Sequence, residues 1–245
     1  MDDPDGRFGE KVAARYDDDS SERFRPETVN RTASVLADLA DGGRALEFAV
    51  GTGRIALPLA ERGIEVHGIE LSRAMLRRLH AKPGGDGIRT TVGDMATTRA
   101  DGTFTLVYLV FNTINNLTTQ DAQVACFENA AAHLEPGGHF VIEVGVPELR
   151  KLPPGQTMIP WHSSATEYCY DVLDTSTQSM IGHYITIDGD RSEHETIPFR
   201  YVWPSELDLM ARLAGMRLVH RWSGWTREPF THESTEHVSV WQKPA

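Results

Sequence analysis

Apolar residues along the first 146 positions fall into short continuous runs that alternate with segments of helical spacing. Short continuous apolar runs are typical of strands buried on both faces, whereas repeats every three or four residues are typical of helices. Two helical segments come first, at residues 8–16 and 26–39. The runs then predict five strands, at residues 45–50, 64–70, 88–94, 104–112 and, after a turn at 134–138, up to residue 143. This alternation predicts a parallel sheet with helices on both sides.

The pattern changes after residue 146, where Pro147 and the Pro-Pro-Gly run at 153–155 interrupt the alternation. Three stretches with strand character follow, at residues 167–172, 179–187 and 193–203. The Asp-Gly-Asp sequence at 188–190 is typical of a tight turn, so we expect an antiparallel platform inserted near the top of the sheet. The chain ends with a predicted helix and two predicted strands, at residues 204–215, 216–222 and 237–241.

The most specific local pattern is a glycine turn between the first strand and the helix that follows it, within residues 44–60. Gly51 and Gly53 lack a Cβ atom, so the chain can turn sharply and its backbone can approach a ligand closely. Glu47 lies on the strand just before the turn. Such a turn holds a polar small molecule above the carboxyl ends of a parallel sheet, which indicates a nucleotide-like cofactor. Two cofactor classes remain open at this point, because residues 51–56 also fit the dinucleotide pattern with alanine in third place.

Composition narrows the range of partners. The 245 residues carry a net charge of −11, and an acidic surface repels a phosphate backbone, which argues against DNA or RNA as substrate. No run of about 18 apolar residues is present, so we expect no membrane span. Cys126 and Cys169 are too few for a disulfide framework or a zinc cluster, and the acidic start lacks a secretory pattern. We therefore expect a cytoplasmic protein.

The glycine turn resembles motif I of the class I S-adenosylmethionine (SAM) methyltransferases, which is an acidic residue followed by Gly-x-Gly-x-Gly. Glu47 and the last two glycines match this motif, and Ala49 replaces the first glycine. Three further motifs follow in the family's order. They are the acidic end of the second strand at Glu70, the Asp-Met pair at 94–95, and Leu-Glu-Pro-Gly-Gly at 134–138. Together they favour SAM over a nicotinamide or flavin, and the resemblance covers residues 10–146 well.

The resemblance implies a role in SAM binding for nine residues. It implies that Glu70 accepts hydrogen bonds from the ribose diol, that Asp94 receives the adenine amino group, and that Met95 packs on the ring. Tyr16 stands in a Tyr-Asp pair, as in relatives whose tyrosine closes over the cofactor, although a packed surface tyrosine is the alternative. Glu47 either approaches the turn or the cofactor amine, or is a buried structural carboxylate. The full set is Tyr16, Glu47, Gly51, Gly53, Glu70, Leu71, Asp94, Met95 and Val110.

The resemblance also implies the fold. We expect an α/β protein with a Rossmann-like, doubly wound sheet of seven strands, an antiparallel terminal hairpin and an inserted antiparallel β platform. Residues 1–146 would form the SAM-binding core with its N-terminal helices, residues 147–203 would roof the substrate site, and residues 204–245 would complete the core sheet of a single domain. Small-molecule N-methyltransferases that act on glycine or amino sugars carry antiparallel additions of this kind over the substrate pocket.

The loop after the fourth strand, Phe111-Asn112-Thr113, lies where the reacting groups meet in this fold. It lacks the Asn/Asp-Pro-Pro-Tyr/Phe pattern of the methyltransferases that modify bases or glutamine. It supplies no carboxylate, so we expect no metal ion. It resembles the Asn-Ser/Thr pattern of glycine and related N-methyltransferases, which implies that Asn112 holds a polar group of the acceptor. An asparagine that merely forms the turn is the alternative.

Several side chains are candidates for chemistry, and each has a structural alternative such as core packing. The catalytic candidates are Asn112, His162, Tyr168 and His183. The acceptor-binding candidates are Phe111, Asn112, Thr113, Asn116, Tyr170, Arg200, Trp225 and Arg227.

The expected function is metal-independent methyl transfer from SAM to a small polar acceptor, with S-adenosylhomocysteine as the product. An amine is the favoured acceptor, and oxygen or carbon acceptors stay open. One alternative is a SAM-binding protein of the same fold with non-methylating catalysis or ligand sensing. A more remote one is a nicotinamide-dependent oxidoreductase. We expect no nucleic-acid or membrane partner and leave a homodimer open.

Overall fold

The computed structural model describes residues 8–18 and 22–245. Its helices are α1 (Glu10–Ala13), α2 (Pro26–Ala40), α3 (Ala56–Ala60), α4 (Arg73–His80), α5 (Gln120–His133) and α6 (Pro204–Leu213). Its strands are β1 (Ala45–Phe48), β2 (Val66–Glu70), β3 (Arg89–Val92), β4 (Phe104–Leu109), β5 (Leu134–Gly145), β6 (Met158–Ser163), β7 (Glu167–Asp174), β8 (Ser179–Asp188), β9 (Arg191–Arg200), β10 (Arg217–Trp222) and β11 (Glu236–Gln242). Within these ranges, no helix has both the length and the apolar character needed to cross a membrane.

Seven strands form the main sheet, in the order β10-β11-β5-β4-β1-β2-β3. The pairs among β1 to β5 are parallel, and β11 runs antiparallel to both of its neighbours. The chain reaches one edge at β3 and returns to place β4 beside β1. The loops that leave β1 and β4 therefore diverge above the carboxyl ends of the strands, and this is where ligands bind in such sheets. The predicted Rossmann-like fold with its terminal hairpin is confirmed.

Apolar side chains cover both faces of this sheet. On one face the rings of Phe127, Phe140 and Trp241 meet edge to face or tilted, with Phe127 5.0 Å from Phe140 and 5.3 Å from Trp241. On the other face, α2 and α3 contribute Leu36 and Leu59, which are fully buried. Burial on both faces explains why β1 and β4 read as continuous apolar runs.

The second sheet is antiparallel, in the order β6-β7-β8-β9. Its first strand was not predicted from the sequence, because Pro160 stands in its middle and most of its residues are exposed. Proline cannot donate a ladder hydrogen bond and is confined to edge strands, and β6 is an edge strand. Its last strand ends at Arg200, three residues before the predicted end, because Pro204 begins α6 soon afterwards.

Two further differences concern single elements. The helix predicted at residues 8–16 is only one turn long, since Ala13 is the buried residue of α1 and little packing sustains a longer helix. The turn predicted at 134–138 lies inside β5. Leu134 pairs with Phe104 and His139 with Leu106, so residues 135–138 bulge out of the ladder. Gly137 takes a φ of 84° there, which glycine adopts without strain.

Candidate active site

A cavity of about 180 Å³ lies at the carboxyl ends of β1, β2 and β3 and beside the loop after β4. Eight of its lining residues were predicted for the site: Tyr16, Gly51, Glu70, Leu71, Asp94, Met95, Thr113 and Asn116. Six were not: Phe8, Ala49, Ile69, Met75, Gly93 and Leu117. Ile69 and Gly93 directly precede the two predicted carboxylates, so their positions at strand ends were a usable signal.

The glycine turn reaches the cavity through an unusual backbone. Ala49, Gly51 and Gly53 all have positive φ angles, of 53°, 58° and 81°. A Cβ atom on Gly53 would lie 3.1 Å from the side chain of Leu79, so a larger residue would have to displace packed core. Ala49 occupies a conformation that costs a residue with a Cβ atom about 1–2 kcal/mol, which explains why glycine is usual at this place in the turn.

Glu70 ends β2 and joins the turn to α4. One carboxylate oxygen accepts from the backbone N–H of Gly51 at 2.9 Å, and the other accepts from that of Ser72 at 2.9 Å. Ser72 in turn caps α4, because its hydroxyl accepts from the N–H of Met75 at 3.1 Å. Glu70 is 6% exposed. Two backbone donors therefore hold its carboxylate at the cavity wall in one orientation.

Asp94 occupies the corresponding place after β3. Its Oδ1 accepts from the backbone N–H of Ala96 at 2.8 Å. The buried side chain of Asn129 donates to the carbonyls of Met95 and Thr98 at 2.7 and 2.9 Å, and so fixes the loop from α5. The cavity thus has one oriented carboxylate at the end of β2 and another at the end of β3.

Aromatic rings form a series beside the cavity. Phe8, Tyr16, Phe24 and Phe111 follow one another edge to face, with centroid distances of 6.2, 5.7 and 5.5 Å. The guanidinium of Arg54 lies between the last two rings, 4.7 Å from Phe24 and 4.6 Å from Phe111. Burial raises the pKa of Tyr16 to about 12, so its hydroxyl keeps its proton at neutral pH. The first two rings of the series, those of Phe8 and Tyr16, line the cavity.

The loop after β4 starts with two strained residues, Phe111 and Asn112, with φ angles of 65° and 59°. Backbone and side-chain bonds hold them. The N–H of Phe111 donates to the Glu143 carboxylate at 2.9 Å, and the N–H of Gly145 donates to Oδ1 of Asn112 at 2.7 Å. Such strain is typical of functional sites. Neither residue lines the cavity, and Val110 is buried in the core, so Thr113 and Asn116 are the loop's predicted residues that reach it.

Comparison with known proteins decides the family. A family described as methyltransferase domain matches residues 45–138. The chain is 34% identical to the CcbJ methyltransferase from Streptomyces caelestis, over 97% of this chain and 98% of that one, with a TM-score of 0.86. The chain belongs to the class I SAM-dependent methyltransferases. SAM is the cofactor of this methyltransferase.

Two other relatives are similar over most of their length. The cypemycin N-terminal methyltransferase of a Streptomyces species is 26% identical over 208 residues, which are 83% of this chain and 84% of that protein. An amino pentose methyltransferase from Micromonospora echinaspora, involved in calicheamicin biosynthesis and solved with SAM bound, shares the fold. It is 22% identical, covers 95% of this chain and 96% of its own, and gives a TM-score of 0.67.

Glu47 lies in the core of the methyltransferase and off the cavity wall. Its carboxyl accepts a hydrogen bond from the hydroxyl of Tyr108 at 2.8 Å. Burial raises the pKa of Glu47 to about 8, although the hydrogen bond from Tyr108 acts in the opposite direction. Of the two interpretations left open by the sequence, the geometry favours the buried structural carboxyl.

We expect this carboxyl to make stability depend on pH. The folded state keeps the Glu47 proton up to about pH 8, whereas the unfolded chain releases it near 4.5. The folded state therefore binds the extra proton between these values, and the free energy of unfolding falls as pH rises through this window. From pH 7 to pH 8 the loss is about 1 kcal/mol. Urea unfolding of the wild type and of Glu47→Gln measures it, since the variant has no proton to lose.

The buried histidines do not obscure this measurement. Burial lowers their pKa values, so they change the free energy of unfolding with pH only below about pH 7. If the free energy of unfolding changed equally between pH 7 and pH 8 in the wild type and in Glu47→Gln, the raised pKa of Glu47 would be contradicted.

Strand alternation in the second sheet of the methyltransferase places three of the predicted residues, Tyr168, Tyr170 and His183, on one face. Tyr170 lies directly opposite His183, and their rings stack 4.5 Å apart. Nδ1 of His183 also lies 2.9 Å from Nε2 of His194. We call this face of the sheet the His183 face. Tyr168 shares it and is 43% exposed.

The opposite face, here the Asp171 face, is the more buried one. Cys169 and Leu173 on it are 9% and 4% exposed. Glu193 on the same face forms an ion pair with Lys11 of α1 at 3.0 Å, and α1 is flanked by the cavity residues Phe8 and Tyr16. The Asp171 face is therefore the one that contacts α1. His183, Tyr168 and Tyr170 lie on the other face, and none of them lines the cavity.

The other predicted residues of the second half also have structural partners. His162 is exposed and lies 3.6 Å from the Glu167 carboxylate. Arg200 is buried and pairs with Glu206 at 2.7 Å. Trp225 packs in the core, and Arg227 pairs with Asp38 of α2 at 2.6 Å. None of Arg200, Trp225 and Arg227 is among the residues that line the cavity.

Proposed function

We propose that this methyltransferase transfers the methyl group of SAM to the nitrogen of a small-molecule amine without a metal ion. The observation that carries the proposal is the cavity itself. It brings the carboxylates of Glu70 and Asp94 together with Thr113 and Asn116 of the loop after β4. Two of the relatives support an amine as acceptor, since one is named an N-terminal methyltransferase and the other an amino pentose methyltransferase.

The residues of the cavity fit the parts of SAM. We assign Glu70 to the ribose diol, because its carboxylate can accept two hydrogen bonds there. Asp94 suits the exocyclic amine of adenine, with Met95 and Leu71 as apolar neighbours of the ring. Gly51 brings its backbone to the wall without a side chain. When bound, SAM supplies an electrophilic methyl group, so the protein has little bond chemistry to perform.

The remaining task of the chain is to position the acceptor and to keep water out. Phe8, Ile69 and Leu117 make much of the cavity wall apolar. Such an environment disfavours the ammonium form of an amine and so favours the neutral form, whose lone pair is free to react. Thr113 and Asn116 offer a hydroxyl and an amide for the acceptor's polar groups. We assign Asn112 to positioning this loop, because its amide oxygen is bonded to Gly145.

The absence of a metal in this mechanism rests on the donor set. The loop after β4 presents Phe111, Asn112 and Thr113, which include no carboxylate for a hard cation. Across residues 8–18 and 22–245, no cluster of three or more His, Cys, Asp or Glu side chains is arranged to hold a metal ion.

The proposal predicts methylation that is selective for amines and insensitive to chelation. We would measure S-adenosylhomocysteine formation in EDTA with an amino sugar, a short peptide with a free N-terminus, and hydroxyl or acetylated analogues of each. Product is expected only with the free amines. Calorimetry of SAM and NAD with the same preparation shows that the cofactor site is intact. Product with the hydroxyl analogues alone, or turnover lost in EDTA and restored by Mg²⁺, would contradict the proposal.

A further inference from the structure

One carboxylate joins the glycine turn to a segment that forms part of the cavity wall. Oδ1 of Asp17 accepts from the hydroxyl of Thr52 at 2.7 Å, and Oδ2 forms an ion pair with Nζ of Lys82 at 2.7 Å. Nζ of Lys82 also donates to the carbonyl of Thr52 at 2.8 Å. We call these three residues the Asp17 network. Its contacts form a closed ring that fixes both the hydroxyl and the carbonyl of Thr52.

Thr52 is the member of the network that belongs to the cofactor site. It stands between Gly51 and Gly53, which have positive φ angles, and it is 1% exposed. Glu70 holds the N–H of Gly51 on the side of the cavity, at 2.9 Å. Lys82 holds the carbonyl of the next residue, Thr52, at 2.8 Å. The polar groups of the turn are therefore oriented by partners from two different parts of the chain.

Asp17 is the member of the network that adjoins the cavity wall. It directly follows Tyr16, which lines the cavity together with Phe8, and the rings of Tyr16 and Phe8 lie 6.2 Å apart. The carbonyl of Phe8 accepts from the hydroxyl of Ser72 at 2.6 Å. We call residues 8–18 the wall segment. It is bonded to the start of α4 at one end and to the glycine turn at the other.

The other contacts of the wall segment hold it only weakly. Its buried residue, Ala13, packs with Met75 in a small cluster, and a single helical turn such as α1 is marginal by itself. The ion pair between Glu10 and Arg77 joins exposed side chains, and such pairs contribute little. The bond from Thr52 differs, because its hydroxyl is buried and loses a charged acceptor if the segment moves away.

We propose that Asp17 is a positioning residue that holds the wall segment against the glycine turn and thereby retains SAM. This inference rests on the proposed placement of SAM in the cavity and deepens it, and it does not depend on the nature of the acceptor. Without the carboxylate, the wall segment must be ordered each time SAM binds. The affinity then falls in proportion to the fraction of molecules in which the segment is in place. Such losses among variants of one site occur mainly in the rate of release.

Surface plasmon resonance on the full chain measures the binding and release of SAM and of S-adenosylhomocysteine. Asp17→Asn keeps the size of the side chain and should release both about tenfold faster, since a charged acceptor is lost. Thr52→Val removes the hydroxyl at the other end of the same bond and should have the same effect, whereas Thr52→Ser keeps the hydroxyl and should restore slow release. The matched control is Asp18→Asn, which removes the same charge from the next, exposed residue. Its release rate should stay within about twofold of the wild type.

A double variant separates positioning from independent structural effects. If Asp17 acts through Thr52, Asp17→Asn combined with Thr52→Val should release SAM no faster than either single variant. Backbone amides of the wall segment should exchange hydrogen faster in Asp17→Asn, while the Tm stays within about 2 °C of the wild type. Release at the wild-type rate in Asp17→Asn, equal acceleration in Asp18→Asn, or additive effects in the double variant would overturn the inference.

These measurements use SAM without an acceptor, so they separate this inference from the proposed function. If Asp17→Asn releases SAM at the wild-type rate while the wild type methylates free amines, the positioning role is wrong and the proposed function stands. If release depends on Asp17 but the wild type methylates no amine, the proposed function fails and the positioning role stands.

Discussion

Replacement of Glu70 by Gln is expected to weaken SAM binding by about 10- to 100-fold, because charge-assisted hydrogen bonds are worth about 1.5–3 kcal/mol each. The carboxylate accepts from the N–H groups of Gly51 and Ser72 at 2.9 Å and also faces the cavity. Glutamine has one acceptor oxygen, and its amide nitrogen would oppose a backbone donor. The turn and the cofactor would then compete for the remaining oxygen. Calorimetric titration with SAM measures the loss directly.

A matched control is available just before the same strand. Glu65 precedes β2 at its opposite end and pairs with Arg44 on the surface. Glu65→Gln removes the same charge, and exposed ion pairs contribute about 0–1 kcal/mol, so SAM affinity should be unchanged. Denaturant unfolding of both variants separates cofactor affinity from folding. Unaltered SAM affinity in Glu70→Gln would refute the assignment of this residue to the cofactor.

Arg200→Ala is expected to destabilise the fold by about 3–5 kcal/mol, which corresponds to a drop in Tm of roughly 10 °C. The guanidinium is almost completely buried and pairs with Glu206 at 2.7 Å. It also donates to the side-chain oxygens of Gln123 on α5 and Gln178 before β8. Removing the arginine would leave the Glu206 carboxylate, itself 14% exposed, without its counter-ion.

The pH dependence of this effect follows from Glu206. Burial acts to raise the pKa of Glu206, but hydrogen bonds from Arg200, Gln178 and Gln120 outweigh it, and the net pKa is lowered from 4.5. A lowered folded pKa means that the pair stabilises the fold above about pH 4.5, and that this stabilisation is lost as pH falls through the folded value. The difference in the free energy of unfolding between Arg200→Ala and the wild type should therefore be largest at pH 7 and decrease at acidic pH.

Arg191 provides the control for this variant, because it begins the same strand and is exposed. Arg191→Ala should shift Tm by no more than about 1–2 °C. If Arg200→Ala instead kept the Tm of the wild type and raised only the KM for the acceptor, Arg200 would be a substrate clamp after all.

The cofactor half of the site was largely predictable because its signals are local. A carboxylate that ends a parallel strand must lie at the sheet's carboxyl edge, so Glu70 and Asp94 were placed by the strand pattern itself. The same argument does not place Glu47, which lies one position before the end of β1 at Phe48. Whether its side chain faced the cavity or the core depended on Tyr108, which is 61 positions away in the chain.

The acceptor half was not predictable to the same degree, since both faces of the second sheet carry polar and aromatic residues. Tyr170 and Asp171 are neighbours in the chain, yet alternation sends their side chains to opposite faces. A pattern without a clear apolar face does not reveal which set turns inward. Tyr170 and His183 were the predicted residues, whereas the face that contacts α1 through Glu193 and Lys11 is the one that carries Asp171.

By itself, the sequence determined the class of fold, the order of the elements of the main sheet, the cofactor and the carboxylates at the ends of β2 and β3, because these follow from periodicity and short motifs. Only the tertiary structure decided which face of the platform contacts α1. It also decided that Arg200 serves the fold, since its partners come from α5, from α6 and from the segment before β8. Such contacts join residues far apart in the chain, and their geometry exists only once the elements have packed.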